Sequence, residues 1–155
     1  MRVITLKPQP LTDESFAPFG RILNLDRREI VCTDGVLTAR ITHAPLRDLT
    51  AEQPHFLNRH MEETQVFVPL GGKDGLFFVG SPSETPESFD PEKTALFHFP
   101  GDKAIQMHVG TWHVAPFAVS EPIDYINIQG DKVGEYTDGY DFKEQDDLVF
   151  QFDLS

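Results

Sequence analysis

Apolar residues in this chain fall into runs of strand length, cut apart by Gly, Pro, Asp or Asn, and no segment of helical length carries a 3.6-residue period. The pattern predicts strands at Leu37 to His43, Gln65 to Leu70, Gly75 to Val79, Thr94 to Phe99, Ile105 to Val109, His113 to Ala118, Tyr125 to Gln129 and Leu148 to Asp153. Ala95, Phe97 and Phe99 alternate with Leu96, His98 and Pro100, and Ile126 and Ile128 alternate with Tyr125, Asn127 and Gln129. Such period-two alternation predicts strands with one wet face. Before them, Leu11 to Gly20 reads as a short helical turn, with Thr12 as N-cap, Asp13 and Glu14 in the first turn, and Pro18 and Gly20 as the stop.

Two polar stretches, 81–93 and 130–147, interrupt the strands, and strand patterning resumes after each. They read as surface loops, since too few residues follow either one for a second core. The 155 residues therefore form one domain, and with 13 Phe against one Trp and three Tyr its core is Phe-rich.

Charge narrows the partners. A formal charge of −12 with no Lys/Arg cluster would repel a polyphosphate backbone, so nucleic acid is not expected. An anionic substrate would need a local cationic or NH-lined pocket. Cys32 is the only cysteine, which excludes an intrachain disulfide and fits a reducing compartment. Pro8 and Pro10 interrupt the N-terminus before a signal-peptide apolar run forms, and no apolar stretch reaches bilayer length, so a cytoplasmic location off the membrane is expected.

Six histidines, at 43, 55, 60, 98, 108 and 113, carry the main chemical signal. For His43, His55 and His98 an ordinary hydrogen-bonded surface or core position is the better reading. His60 opens the stretch HMEETQVFVPL, and His108 and His113 flank Gly110 and Thr111 in HVGTWHVAP. A turn at Gly110 and Thr111 would bring two strand ends together and put His108 and His113 near one pocket mouth. Neutral imidazoles there can bind a divalent metal or act as acid and base, and sequence leaves both roles open. Gln65 and Glu62 can orient a histidine or bind ligand, and Trp112 can wall the pocket or pack in the core. Arg40 is a candidate clamp for a substrate carboxylate through its bidentate fork. A phosphate-cradling Gly loop, a serine nucleophile elbow and a thiol–histidine pair are all missing, which disfavours covalent catalysis.

At these residues the chain resembles the cupins. Gly110, Thr111, Trp112 and His113 fit the Gly-x-x-His of the second cupin motif, and Asn58, His60, Gln65 and Gly72 fall on the positions of the first, with Asn and Gln standing where a His and a Glu are usual. It is more closely similar to the ureidoglycolate lyase family at LTDESFAPFG, RHMEETQVFVPL, GDKAIQMHVGTWHVAPFA and IDYINI. It departs from that family at Met61, Glu62 and Glu63, where Pro-Leu-Gly usually follows the His matched by His60, and at Val114 and Ala115, where a second His precedes the Pro.

The resemblance implies an all-β, cupin-type double-stranded β-helix (jelly-roll) barrel with a short N-terminal helix, and a carbon–nitrogen lyase of the amidine-lyase kind. Such an enzyme cleaves ureidoglycolate to glyoxylate and urea during allantoin breakdown, and its members form homodimers. On this reading His108, His113 and Gln65 carry catalysis, while His60, Trp112 and Arg40 bind a small anionic substrate. No firmly held cofactor is expected, at most a weakly bound divalent metal at His60 and His113. The rival reading is a non-catalytic or differently specific cupin that binds a small organic acid or sugar.

Overall fold

The computed structural model describes residues 1–30, 36–61 and 64–155, so Cys32, Glu62 and Glu63 lie outside the described residues. The chain opens with β1 (Arg2–Leu6), β2 (Pro8–Pro10), α1 (Asp13–Phe16) and β3 (Gly20–Leu23), then runs through β4 (Leu37–Ala44), β5 (Phe56–His60), β6 (Gln65–Pro69) and β7 (Gly75–Gly80). β8 (Thr94–Phe99), β9 (Ala104–Met107), β10 (Trp112–His113), β11 (Phe117–Ala118) and β12 (Ile123–Gly130) follow, and β13 (Thr137–Asp141), α2 (Phe142–Asp146) and β14 (Leu148–Phe152) close it.

The architecture is all-β and of the cupin type, built as two facing sheets. One has the order β3-β9-β6-β12-β4, and the other runs β13-β5-β10-β7-β8-β2 with β11 also on β7. Phe67 and Tyr125 of the first sheet meet Phe77, Phe97 and Phe99 of the second in the central core. Phe16 and Phe19 stand edge-on to Phe97 at 5.3 and 5.5 Å, pairings that each contribute about 0.5–1.5 kcal/mol beyond their buried area.

A second core lies on the other face of the larger sheet. There Leu76, Phe78 and Leu96 pack with Phe142, Phe150 and Phe152, beneath the parallel pair β1–β14. This cover changes the expected wet face of β8: both faces are buried there, and only His98 is exposed. In β7 the burial is continuous for the same reason.

Thr12 caps α1 as expected, its hydroxyl accepting from Ser15 N while the Ser15 hydroxyl accepts from Thr12 N, both at 3.0 Å. The helix is a single turn, because the chain enters β3 at Gly20, where a Cβ would meet the Gln106 carbonyl. The expected strand from His113 to Ala118 is two, β10 and β11, both on β7 and separated by a segment that includes Pro116, which has no N–H for a ladder. The polar stretch 130–147, read as a loop, holds β13 on the edge of β5 and the short helix α2, capped by Asp141.

Candidate active site

β5 sends Asn58 and His60 to the inner face of the larger sheet and Leu57 and Arg59 to the outer one. β10 lies between β5 and β7, with His113 opposite both Asn58 and Val79, and Val79 belongs to the central core. His113 therefore points inward beside Asn58 and His60. The rings of His60 and His113 meet edge to face at 4.9 Å. Across the interior, Gln65 opens β6 between Met107 of β9 and Gln129 of β12. Asn127 and Gln129 share the inward face of β12 with Tyr125 and are as buried as Gln65.

Hydrogen bonds fix these groups. His113 holds Nδ1 at 2.9 Å from the Thr111 carbonyl, which can only accept, so the proton sits on Nδ1 and the lone pair on Nε2. Burial, and then the neighbouring His60, depress His113 to about 3, so it is neutral at physiological pH. His60 pairs Nδ1 with the Thr137 hydroxyl at 2.8 Å. Burial lowers its pKa as well, and the neighbouring Gln65 side chain offsets part of that loss. Gln65 Nε2 donates to Asn127 Oδ1 at 3.0 Å and to Gln129 Oε1 at 3.4 Å.

The structure brings His60, Gln65 and His113 together and puts the other candidates elsewhere. His108 is exposed, with Nε2 at 2.8 Å from the Ala17 carbonyl beside α1. The reason is the turn. Thr111 N bonds back to the His108 carbonyl and Gly110 takes φ +84°, as a type II turn requires, but the turn leads from β9 in one sheet to β10 in the other and does not close a hairpin. Trp112, one residue from His113, faces the second core. It stacks on Phe89 at 5.0 Å with the Arg59 guanidinium 4.9 Å over its ring, and it is fully buried. Arg40 lies on the edge strand β4, opposite Asn127 and on the same inward face, and is exposed.

His43, His55 and His98 pair with Asp124, Asp141 and Asp74 near the surface. A cavity of about 510 Å³ lined by residues that include Arg47, His55, Phe56 and Phe117 lies apart from the paired histidines.

The four cupin ligand positions, Asn58, His60, Gln65 and His113, thus converge, but as two neutral imidazoles and two amides. Among the described residues no group of three His, Cys, Asp or Glu side chains could hold a metal ion. A firmly held divalent ion favours three or more His, Cys or carboxylate ligands, and this donor set does not fit one.

Sequence reading passed over Asn127 and Thr137. The available signal was the alternation in β12: hydrophobicity alone would bury Ile126 and Ile128, whereas the fold buries Tyr125, Asn127 and Gln129 and turns the isoleucines outward. A polar face turned into the interior marks a site.

A family model described as ureidoglycolate lyase matches residues 47–148, which include every inward-facing polar residue named above except Arg40. A ureidoglycolate lyase of Pseudomonas syringae pv. syringae (strain B728a) is 28% identical over 91% of this chain and 92% of its own. One from Pseudomonas syringae pv. tomato (strain ATCC BAA-871 / DC3000) is 26% identical over 96% and 95%. That of Azotobacter vinelandii (strain DJ / ATCC BAA-1303) is 25% identical over 96% and 98%.

Proposed function

The chain belongs to the ureidoglycolate lyase family, and from that premise we propose that it cleaves ureidoglycolate to glyoxylate and urea, as a carbon–nitrogen lyase of the amidine-lyase kind in allantoin breakdown. The observation that carries this reading is the edge-to-face pair of neutral histidines, half-buried His60 and buried His113, in an interior otherwise lined by amides.

Ureidoglycolate is a carbinolamide. Its collapse moves one proton off the hydroxyl as the C–O bond becomes C=O, while the C–N bond breaks and the departing urea nitrogen gains a proton. No covalent intermediate with the enzyme is needed. A base works best when its pKa lies near the working pH. His113, depressed to about 3, is too weak to carry the proton and serves as a neutral acceptor, its Nε2 orienting the substrate. His60 is half-buried and less depressed, and the Gln65 carbonyl beside it favours the imidazolium. His60 therefore takes the hydroxyl proton and returns it to the urea nitrogen. His108, turned toward Ala17, has no part in this transfer.

The exposed guanidinium of Arg40, opposite Asn127, receives the substrate carboxylate, supplying the local positive charge that an acidic protein needs for an anionic ligand. The reaction as derived uses no metal, in keeping with the donor set.

The protein works as a homodimer in the cytoplasm on this reading. Among the described residues no helix is long and apolar enough to cross a membrane. The outer face of the smaller sheet offers Ile41, 58% exposed on the edge strand β4, whose other side pairs with no described strand, next to the half-buried Ile126, Ile128 and Val68. A second copy that covers this face would bury an apolar patch and an open strand edge together.

The test is direct. Purified protein with ureidoglycolate should release urea and glyoxylate in equal amounts, above the spontaneous rate. Ligand-dependent thermal stabilisation without turnover would instead identify a binding protein.

A further inference from the structure

Asn127 and Gln129 take no part in the proton transfer, yet both are buried in the site and both reach the same group. Gln65 Nε2 donates to each of them. A primary amide has two N–H bonds, so these acceptors use both and leave the Gln65 carbonyl oxygen turned toward His60. That oxygen is fully buried and, apart from the approach of His60, has no hydrogen-bond partner among the described residues. Unpaired buried carbonyl oxygens are rare in folded proteins, and one that faces a site is explained by a donor arriving with the ligand.

Resting on the lyase reading, we propose that Asn127 and Gln129 are positioning residues that lock the Gln65 amide with its oxygen toward the ligand, making this subsite specific for the terminal NH2 of a ureido group. The oxygen has two lone pairs, so it can serve that donor and His60 together. It also repels a carboxylate, which orients the ligand: the neutral ureido end goes inward to Gln65. The charged end stays outward, toward the exposed Arg40, which makes no ion pair with a described residue.

Two unreactive compounds test this, N-carbamoylglycine and N-acetylglycine. Both keep the carboxylate and the inner N–H, both lack the carbinol hydroxyl, and they differ in a terminal NH2 against CH3. Calorimetry on the wild-type protein should show the carbamoyl compound binding about tenfold to a hundredfold more tightly. In Asn127→Leu the ratio should fall toward one, because Gln65 is then free to turn its amide. Asn127→Asp keeps the acceptor and should restore the preference, since its added charge acts on both compounds alike. If Asn127→Leu does not fold by circular dichroism, Gln129→Met enters the same comparison.

Equal affinity of the wild type for the two compounds overturns the inference even if ureidoglycolate is cleaved. An unchanged ratio in the folded variant removes the positioning role. Absence of both turnover and binding overturns the lyase reading itself.

Discussion

His60 and His113 face each other at 4.9 Å with ring planes 67° apart, one half-buried beside the Thr137 hydroxyl and the other sealed against the Thr111 carbonyl. Two imidazoles this close cannot both hold a proton at low cost, so the pair carries at most one. The more open His60 is where that proton goes.

Replacement of either ring separates the two roles. His60→Ala should lower kcat by about a hundredfold or more, the usual contribution of a positioned proton carrier. His113→Ala should lower kcat/KM through loss of orientation, while His108→Ala should stay close to wild type because that ring bonds to Ala17. Steady-state assays of urea release on the three variants decide the assignment. A large loss in His108→Ala with near-normal His113→Ala would reverse it.

Acid should act on the fold through His113. Its folded pKa, about 3, lies below the ordinary value near 6.5, so between those values the unfolded chain binds the extra proton and the folded one does not. Stability should therefore fall as pH drops below about 6.5, by about 1 kcal/mol per pH unit from this group, and should not depend on it above neutrality. Urea denaturation at pH 7 and pH 5 should show a smaller difference in His113→Asn than in the wild type. Activity should also fall on the acid side, with its midpoint below 6.5, since His60 must be neutral to accept the substrate proton.

Prolonged treatment with a chelator should leave both turnover and the melting temperature unchanged. Elemental analysis of protein purified without added metal should find less than one divalent ion per chain. A stoichiometric ion that supports activity when restored would contradict the reading of two imidazoles and two amides as too weak a donor set.

Trp112→Ala should destabilise the fold by about 3–5 kcal/mol, because it empties a fully buried position between Phe89, Tyr140 and Arg59. Trp112→Phe should cost less and leave KM unaltered. A raised KM in a well-folded Trp112→Phe would return this side chain to the substrate pocket.

Ile41→Lys should yield monomers in sedimentation experiments at concentrations where the wild type is dimeric. A monomeric wild type would dismiss the proposed pairing of smaller-sheet faces.

The strands with clear apolar runs, such as β6, β7 and β8, were legible because both their length and their punctuation were written locally. β1, β2 and β13 were not, since they are held by partners far along the chain: Val3 by Val149, Gln9 by Phe97, Gly139 by Asn58. The site divided in the same way. His60, Gln65 and His113 stand in motifs with recognisable spacing, but the fate of His108 depended on which sheet each side of a turn joins. Trp112 depended on a second core that no local pattern announces.

β10 is two residues long, and it sends Trp112 to one side of the larger sheet and His113 to the other. The anchor that holds this backbone in place is thus a different side chain from the one proposed to meet the ligand. A lineage could change or lose the chemistry at position 113 without loosening the scaffold, and could drift in its reaction while its architecture stayed recognisable.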